Sequence, residues 1–201
     1  MGKIIGITGG IASGKSTVTN FLRQQGFQVV DADAVVHKLQ KPGGRLYQVL
    51  VQHFGHAILL ENGELNRPLL ASLIFSNPEE QEWSKQTQGE IIREELAALR
   101  DQLAQTEAIF FMDIPLLFEQ DYASWFDETW LVYVDYDIQL ERLMKRDQLS
   151  KEIAESRLAT QWSLEEKKKL ASHILDNNGS RDQLVSQVVK LLEGGDGCAR
   201  D

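Results

Sequence analysis

The chain has 201 residues, of which 42% are hydrophobic, and its formal net charge is -9. This length suits one substantial core with a smaller lobe or lid, and the negative charge disfavours nucleic acid and anionic membranes as partners, because both attract clustered positive charge. The single cysteine, Cys198, allows neither a disulfide framework nor a cysteine metal cluster. We expect neither a signal peptide nor a membrane span, and therefore a cytoplasmic protein.

Apolar runs near the start of the chain and in its second half predict the strands of a sheet. They lie at Ile4 to Thr8, Phe27 to Asp31, Ala108 to Met112 and Trp130 to Val134. Between the first two runs, Ser16 to Gln25 has the apolar spacing of a helix, and Gly26 suits its C-terminal cap. Because continuous apolar strands suit a parallel sheet that is covered on both faces, we predict an α/β fold.

A long insertion separates the second predicted strand from the third. About seventy residues, from Ala34 to Glu107, have mainly helical spacing, which is more than a simple crossover needs. Within them, Asn62-Gly63 is a turn signal that fits a small hairpin or a helix connection equally well. We predict that the aromatic side chains of Phe54, Phe75 and Trp83 lie in the core.

The last third of the chain is predicted to be mostly helical. After Asp137 a helix should run to about Arg146, and a charged helical segment should follow it as far as Ala171. Capping-box spacing, which marks the start of a helix, occurs at Ser163 with Glu166 and at Ser180 with Gln183. The final helix should pack on the sheet through Leu184, Val185, Val188, Val189 and Leu192.

A glycine-rich stretch follows the first predicted strand. Residues 9 to 16 satisfy the phosphate-loop pattern G-x-x-x-x-G-K-[ST] between a strand and a helix. Glycines let successive backbone N–H groups turn toward phosphate oxygens, and the following helix adds its positive end. We expect Lys15 to bridge the β and γ phosphates of ATP and the Ser16 hydroxyl to ligate Mg²⁺. The nucleotide contacts are expected from Gly9, Gly10, Ala12, Ser13, Gly14, Lys15, Ser16 and Thr17.

Phosphate loops serve several classes of protein. The chain has no Asn-Lys-x-Asp guanine-reading motif, which disfavours a GTPase, and ATPase motors are usually larger. A small kinase remains, in which a lid closes over ATP and an acceptor. Local charge favours such a lid, because residues 142 to 169 contain eight Lys or Arg and only five Asp or Glu, and positive charge attracts phosphate.

Carboxylates follow two of the predicted strands. Asp31 and Asp33 end the second strand at the carboxyl edge of the sheet, where doubly wound proteins place ligands. Either could accept a proton from an attacking hydroxyl or order a Mg²⁺-bound water, and either could instead cap the next helix. Asp113 follows the third strand and is interpreted as a Mg²⁺ ligand or as a polar strand end.

Six segments, in this order and spacing, resemble the dephospho-CoA kinase family. They are Thr8 to Thr17, Asp31-Ala32-Asp33 with His37, Asp113 to Glu119, Gln139 to Asp147, Arg157 with Gln161, and Asp176 to Gly179. The resemblance implies a P-loop NTPase-type parallel five-stranded sheet flanked by helices, in a single domain over 3-201 with a helical acceptor-binding insertion at about 34-107 and a helical lid at about 142-171. Two places depart from the family pattern, since Gly89-Glu90 replaces a His-Pro pair and Ser172 replaces an acid.

The resemblance also implies an activity and the residues behind it. The family transfers the ATP γ-phosphate to the ribose 3′-hydroxyl of dephospho-CoA, giving coenzyme A and ADP in the last step of coenzyme A biosynthesis. Carried over by position, Asp33 would be the general base, and Arg142 and Arg146 would reach the transferring phosphate from the lid. The full implied set is Asp33, Lys15, Arg142 and Arg146 for catalysis, Asn177 beside the loop residues for the nucleotide, and Ser16 with Asp113 for Mg²⁺.

Two other functions remain open. A P-loop kinase for another nucleoside, nucleotide or shikimate-like acceptor would carry the same loop. A nucleotide-binding regulatory protein would bind ATP without transferring phosphate, although Asp33, Arg142 and Arg146 together favour catalysis. We expect ATP and dephospho-CoA as small-molecule substrates and a monomer or weak homo-oligomer.

Overall fold

The computed structural model describes residues 2–195 of the chain, so Cys198 lies outside the described residues. Two compact units are present. The first combines the residues up to Val30 with those from Leu103 onward, and the second comprises Asp31 to Gln102. Among the described helices, none has the length and apolar character that a membrane crossing requires.

The predicted α/β fold with a five-stranded parallel sheet is confirmed. The strands are β1 (Lys3–Gly9), β2 (Val29–Asp31), β3 (Ile109–Asp113), β4 (Glu128–Tyr133) and β5 (His173–Asp176). Their order across the sheet is β2-β3-β1-β4-β5. Ile7 of β1 is paired with Asp113 on one side and with Trp130 on the other. The strand that leads into the glycine-rich stretch is therefore the central one, and its neighbours end at the same edge of the sheet.

Helices connect and flank these strands. They are α1 (Lys15–Gln24), α2 (Ala32–Leu39), α3 (Arg45–Phe54), α4 (Arg67–Ser76), α5 (Pro78–Thr106), α6 (Tyr136–Asp147), α7 (Lys151–Leu158), α8 (Leu164–Lys168) and α9 (Arg181–Gly195). Both predicted capping pairs form: Ser163 and Glu166 make a reciprocal capping box at α8, and Ser180 and Gln183 exchange bonds of 2.8 and 3.3 Å at α9. The charged segment predicted after α6 is divided into α7 and α8.

Both faces of the sheet are covered by helices. On one face, Trp130 and Val132 of β4 pack with α1 and α9 in a cluster of buried side chains. On the other face, Leu131 and Tyr133 pack with Leu164 of α8. Successive residues of β4 therefore point to opposite faces and find apolar neighbours on each, which explains the continuous apolar run. The predicted packing of the last helix on the sheet is confirmed.

The second unit has a core of its own. Leu46 and Leu50, one turn apart on α3, are fully buried in it. Trp83 of α5 stacks on His53 with 3.6 Å between ring centroids and meets Phe54 edge-on at 5.5 Å. The prediction that Phe54 and Trp83 contribute to the core is confirmed. The same prediction for Phe75 is wrong, because its ring lies at the end of α4 and is 74% exposed.

The structure differs from the sequence-based prediction at one turn and decides between two alternatives at another. The second strand begins at Val29 and not at Phe27, because the Phe27 N–H donates to the Leu22 carbonyl at 3.1 Å and so completes the end of α1. Gly26, with a φ of 88°, makes this left-handed cap. The Asn62-Gly63 signal belongs to a small hairpin, since the chain on either side of it forms an antiparallel bridge.

Ser172, which stands where the family pattern has an acid, ties the start of β5 to β4. Its hydroxyl accepts a hydrogen bond from the Thr129 N–H at 3.0 Å, and its own N–H donates to the Thr129 hydroxyl at 3.0 Å. The pair satisfies two backbone donors at the sheet edge. Ser172 therefore stabilises the pairing of β4 with β5.

Replacing Leu22 by Ala tests the core of the first unit. Leu22 is fully buried between α1 and the sheet, so we expect a loss of about 2–5 kcal/mol in the free energy of unfolding. Urea denaturation measures it. Leu170, which is 55% exposed, is the matched control, and Leu170→Ala should change stability by no more than about 0.5 kcal/mol. Equal losses in the two variants would contradict this position for α1.

Candidate nucleotide-binding site

The backbone of residues 10 to 14 curls tightly between β1 and α1. Ala12 and Gly14 have φ angles of 59° and 92°, in the left-handed region that glycine adopts without strain. The Ser13 N–H donates to the Gly10 carbonyl at 3.1 Å and closes the turn. A Cβ at Gly14 would overlap the side-chain amide of Asn177, so space as well as backbone angle requires glycine there. The strand, loop and helix that a phosphate-loop pattern needs are all in place.

Three amide side chains hold this loop from outside. Asn177 donates to the Ser13 carbonyl at 2.7 Å, and Gln139 donates to the Ile11 carbonyl at 2.7 Å. The Ile11 N–H in turn donates to Gln161 at 3.2 Å. Carbonyl oxygens repel phosphate, so donors that engage them elsewhere keep the acceptor atoms of the loop away from an anion. Asn177 thus acts on the loop backbone, and a direct contact between its side chain and the nucleotide stays a prediction.

The other loop residues make the following contacts, and their roles toward a nucleotide stay predictions. Gly9 ends β1, and a Cβ there would come within 2.5 Å of the Ser13 hydroxyl and 3.1 Å of the Val132 carbonyl. Ser13 is fully buried, and its hydroxyl has no hydrogen-bond partner within the described residues. Ser16 is exposed in the first turn of α1. The Thr17 N–H donates to the Gly14 carbonyl at 2.9 Å, which directs the first turn out of the loop.

Lys15 and Asp113 form an ion pair below the loop. Lys15 is the first residue of α1, and Asp113 is the last residue of β3, beside Ile7 of the central strand. Their side chains are 17% and 6% exposed, respectively. The pairing of β1 with β3 therefore brings together two residues that are far apart in the sequence. A phosphate that entered the loop would compete with Asp113 for the Lys15 ammonium.

Two arginines of α6 were predicted to serve the transferring phosphate. Arg142 is half-buried and donates to the backbone carbonyl of Asn177 at 3.0 Å, which places it next to the residue that holds the loop. Arg146, one turn later, is more exposed and binds both oxygens of Asp147 at 2.7 and 3.1 Å. Asp147 also accepts from Arg157 of α7 at 2.9 Å. Hydrogen bonding from Arg146 holds the pKa of Asp147 below its usual value, so this carboxylate stays charged and links α6 to α7.

The two carboxylates after β2 have different local roles. Asp31 is the N-cap of α2, and its Oδ1 accepts from the Ala34 N–H at 3.0 Å. Asp33 is exposed in the first turn of the same helix and forms no hydrogen bond or ion pair with any described residue. The capping interpretation therefore belongs to Asp31. Asp33 keeps an uncommitted carboxylate, and its role as general base stays a prediction.

Sequence reasoning gave no role to several side chains around the loop. A cavity of about 350 Å³ adjoins Gly10 and is lined by Gln139, Gln161, Tyr133 and Trp162 among others. The Tyr133 hydroxyl lies within hydrogen-bond reach of the Glu165 and Asp135 carboxylates, and its hydrogen bond to Glu165 is the main reason that the pKa of Tyr133 is raised. The helical spacing of Gln139 and Arg142 was the one signal that both side chains meet the loop region.

The geometry defines a class of protein. A phosphate loop leaves the central strand of a β2-β3-β1-β4-β5 parallel sheet, its lysine meets an acid at the end of the neighbouring strand, and an arginine from a later helix lies beside the residue that holds the loop. These are the features of a P-loop nucleotide-binding protein of the small-kinase type.

Comparison with known proteins assigns the family. The family model described as dephospho-CoA kinase matches residues 3–183, and the dephospho-CoA kinase of Streptococcus pneumoniae serotype 4 is 81% identical over 201 residues, which is 100% of both chains. The dephospho-CoA kinase of Campylobacter jejuni has a TM-score of 0.74 at 28% identity, over 97% of this chain and 100% of that one. TT1252 from Thermus thermophilus has a TM-score of 0.77 at 33% identity, over 96% and 97%. The chain belongs to the dephospho-CoA kinase family.

Replacing Lys15 by Met should abolish phosphoryl transfer. Losing a preorganised electrostatic donor costs about 10²-fold or more in rate. Because Lys15 pairs with the buried Asp113, this variant should also lose some stability. Steady-state kinetics beside thermal unfolding separate the two effects.

A double variant, Lys15→Met with Asp113→Asn, is the control for that experiment. It removes the carboxylate that Lys15→Met leaves without its ammonium, so stability should partly return while activity stays absent. Near-normal turnover in the single variant would rule out the role of Lys15 in the loop.

Proposed function

We propose that the protein transfers the γ-phosphoryl group of ATP to the ribose 3′-hydroxyl of dephospho-CoA, giving coenzyme A and ADP in the last step of coenzyme A biosynthesis. The observation that supports it most strongly is the Lys15–Asp113 pair below a formed phosphate loop, in a chain that belongs to this family. The loop holds the donor nucleotide, and the family assignment favours dephospho-CoA over a nucleoside or shikimate-like acceptor.

The chemical step is an in-line displacement. The ribose 3′-oxygen attacks the γ-phosphorus, the bond from that phosphorus to the β-bridging oxygen breaks, and ADP leaves with the bonding electron pair. Negative charge spreads over the equatorial oxygens during transfer. Lys15, Arg142 and Arg146 supply fixed positive charge for these oxygens, and Asp33 takes the proton from the 3′-hydroxyl.

Mg²⁺ is the metal that fits the residues present. It prefers oxygen ligands and is commonly held by one or two protein groups together with phosphate oxygens and water. The exposed Ser16 hydroxyl and the Asp113 carboxylate are such oxygen ligands. When bound, the ion neutralises charge on the β and γ phosphates. A phosphate that draws Lys15 away leaves the Asp113 carboxylate available to the metal.

The remaining proposals concern organisation. We place the lid at about 142-171, which contains Arg142, Arg146 and Arg157, and the acceptor-binding insertion at about 34-107, within one kinase domain over 3-201. The protein is proposed to work in the cytoplasm as a monomer or weak homo-oligomer.

A coupled ADP-release assay with ATP, Mg²⁺ and dephospho-CoA tests the activity directly. The expected product is coenzyme A, identified by its added 3′-phosphate in mass spectrometry. Adenosine, AMP and shikimate are the matched alternative acceptors. Faster turnover with one of them would replace the proposed acceptor, and ATP binding without turnover on any acceptor would favour a regulatory protein.

Asp33→Asn should reduce kcat while leaving substrate binding nearly intact. The change keeps the shape of the side chain but removes its basicity, and a positioned base typically contributes about 10² to 10⁴ in rate. Titration calorimetry should give affinities for ATP·Mg and dephospho-CoA within a few fold of the parent.

Asp31→Asn is the matched control, because asparagine also caps helices well and should preserve both the cap and the rate. A collapse of ATP·Mg affinity in Asp33→Asn would instead assign Asp33 to the metal. Loss of rate in the Asp31 variant alone would move the base to Asp31.

Turnover should depend absolutely on Mg²⁺. Excess EDTA is expected to stop the reaction, and added Mg²⁺ should restore it. Ser16→Ala should raise the Mg²⁺ concentration needed for half-maximal rate, whereas Ser16→Thr keeps the hydroxyl and should behave like the parent. Full activity in EDTA would refute this part of the mechanism.

A further inference from the structure

Helix α8 contains a charged residue, Lys167, whose side chain is buried. Lys167 is completely buried, although it stands in the charged run Glu165 to Lys169 and its neighbour Lys168 has a side chain that is 43% exposed. Removing a charged group from water is costly unless it is paired and hydrogen-bonded. The contacts of Lys167 therefore indicate why the fold retains it.

One partner of Lys167 is the carboxylate of Glu119, in the segment after β3. The Lys167 Nζ lies 2.8 Å from Glu119 Oε1, and the side chains are 0% and 13% exposed. The same oxygen accepts from the Trp162 N–H at 3.2 Å. The other oxygen of Glu119 is buried and has no hydrogen-bond partner within the described residues. Lys167 is thus the charge that compensates this carboxylate.

The second partner is the backbone carbonyl of Pro115. It accepts from Lys167 Nζ at 2.9 Å and from the Thr8 hydroxyl at 3.0 Å. Thr8 is fully buried on β1 and immediately precedes the phosphate loop at Gly9, whereas Pro115 follows Asp113 by two residues. The Pro115 carbonyl therefore links β1 and α8 to the turn that follows β3. This link lies close in sequence to both Gly9 of the phosphate loop and Asp113.

We propose that Lys167 is a positioning residue for phosphoryl transfer: through the Pro115 carbonyl it fixes the turn that directly follows Asp113 and so holds Asp113 opposite Lys15. The Glu119 carboxylate neutralises Lys167 and lets its ammonium remain buried. The inference rests on the proposed role of Asp113 toward Mg²⁺. Positioning groups around a metal ligand typically contribute about 10 to 100-fold to metal affinity or activity.

The test compares Lys167→Met with the double variant Lys167→Met/Glu119→Gln. The single variant leaves a buried carboxylate without its ammonium and should unfold at a lower temperature. The double variant removes that lone charge and should regain most of the lost thermal stability. It still lacks the donor to Pro115, so we expect kcat to stay about 10-fold or more below the parent and half-maximal Mg²⁺ concentration to rise by a similar factor.

Two further variants test the proposal without leaving a buried charge unpaired. Thr8→Val removes the other donor to the Pro115 carbonyl without any change of charge, and should raise the Mg²⁺ requirement in the same direction. Lys190→Met, at an exposed lysine of α9 outside the proposed lid, is the control and should match the parent. Calorimetric titration with ADP, with and without Mg²⁺, adds a readout besides activity: the affinity gained from the metal should shrink in the Thr8 variant and in the double variant.

The outcomes separate this inference from the mechanism on which it rests. If Asp113→Asn raises the Mg²⁺ requirement but Thr8→Val and the double variant match the parent, Lys167 is a structural residue only and the proposal is overturned. If Asp113→Asn itself leaves the Mg²⁺ requirement unchanged, the proposed role of Asp113 fails first, and the proposal fails with it. An equal loss in Lys190→Met would show a general effect of positive charge and would also overturn it.

Discussion

The phosphate loop keeps its shape because its carbonyl oxygens find donors away from the place where an anion would bind. A loop of this kind must turn several N–H groups inward, so some carbonyls have to turn outward, and outward carbonyls buried without donors cost free energy. Asn177 and Gln139 supply those donors at 2.7 Å each. The loop is therefore held by Asn177, which directly follows β5, and by Gln139 of α6.

Two of the cations proposed to bind phosphate are paired with carboxylates, which a phosphate group would displace. Lys15 is neutralised by Asp113, and the more exposed Arg146 by Asp147. Phosphate oxygens are stronger acceptors for lysine and arginine than a shared carboxylate is, since they offer more negative charge and several lone pairs. The pairs keep each cation oriented before the nucleotide arrives, which reduces the reorganisation needed at the moment of transfer.

Four of the five strands were predicted because each has its own local signal, whereas the fifth, β5, was implied only by the family resemblance. Trp130 to Val134 is apolar at every position, and that pattern is explained by helices on both faces. The phosphate loop was also predicted from the sequence, since its glycines are required by φ angles and by lack of space. Asp31 and Asp33 could not be separated in advance, because both are short acids near a helix start, and only the backbone geometry makes Asp31 the cap. The burial of Lys167 could not be predicted, since its partner Pro115 is 52 residues away and its own neighbours in sequence are ordinary surface charges.

The bond from Asn177 to Ser13 joins residues that are 164 positions apart. During synthesis the glycine loop leaves the ribosome well before the amide that holds it, because strands β2 to β5 lie between the two. Contacts of such separation form late, because the intervening chain must be ordered before its ends can meet. The loop is thus synthesised well before the contact that holds it, and we expect it to reach its folded shape only after Asn177 has left the ribosome.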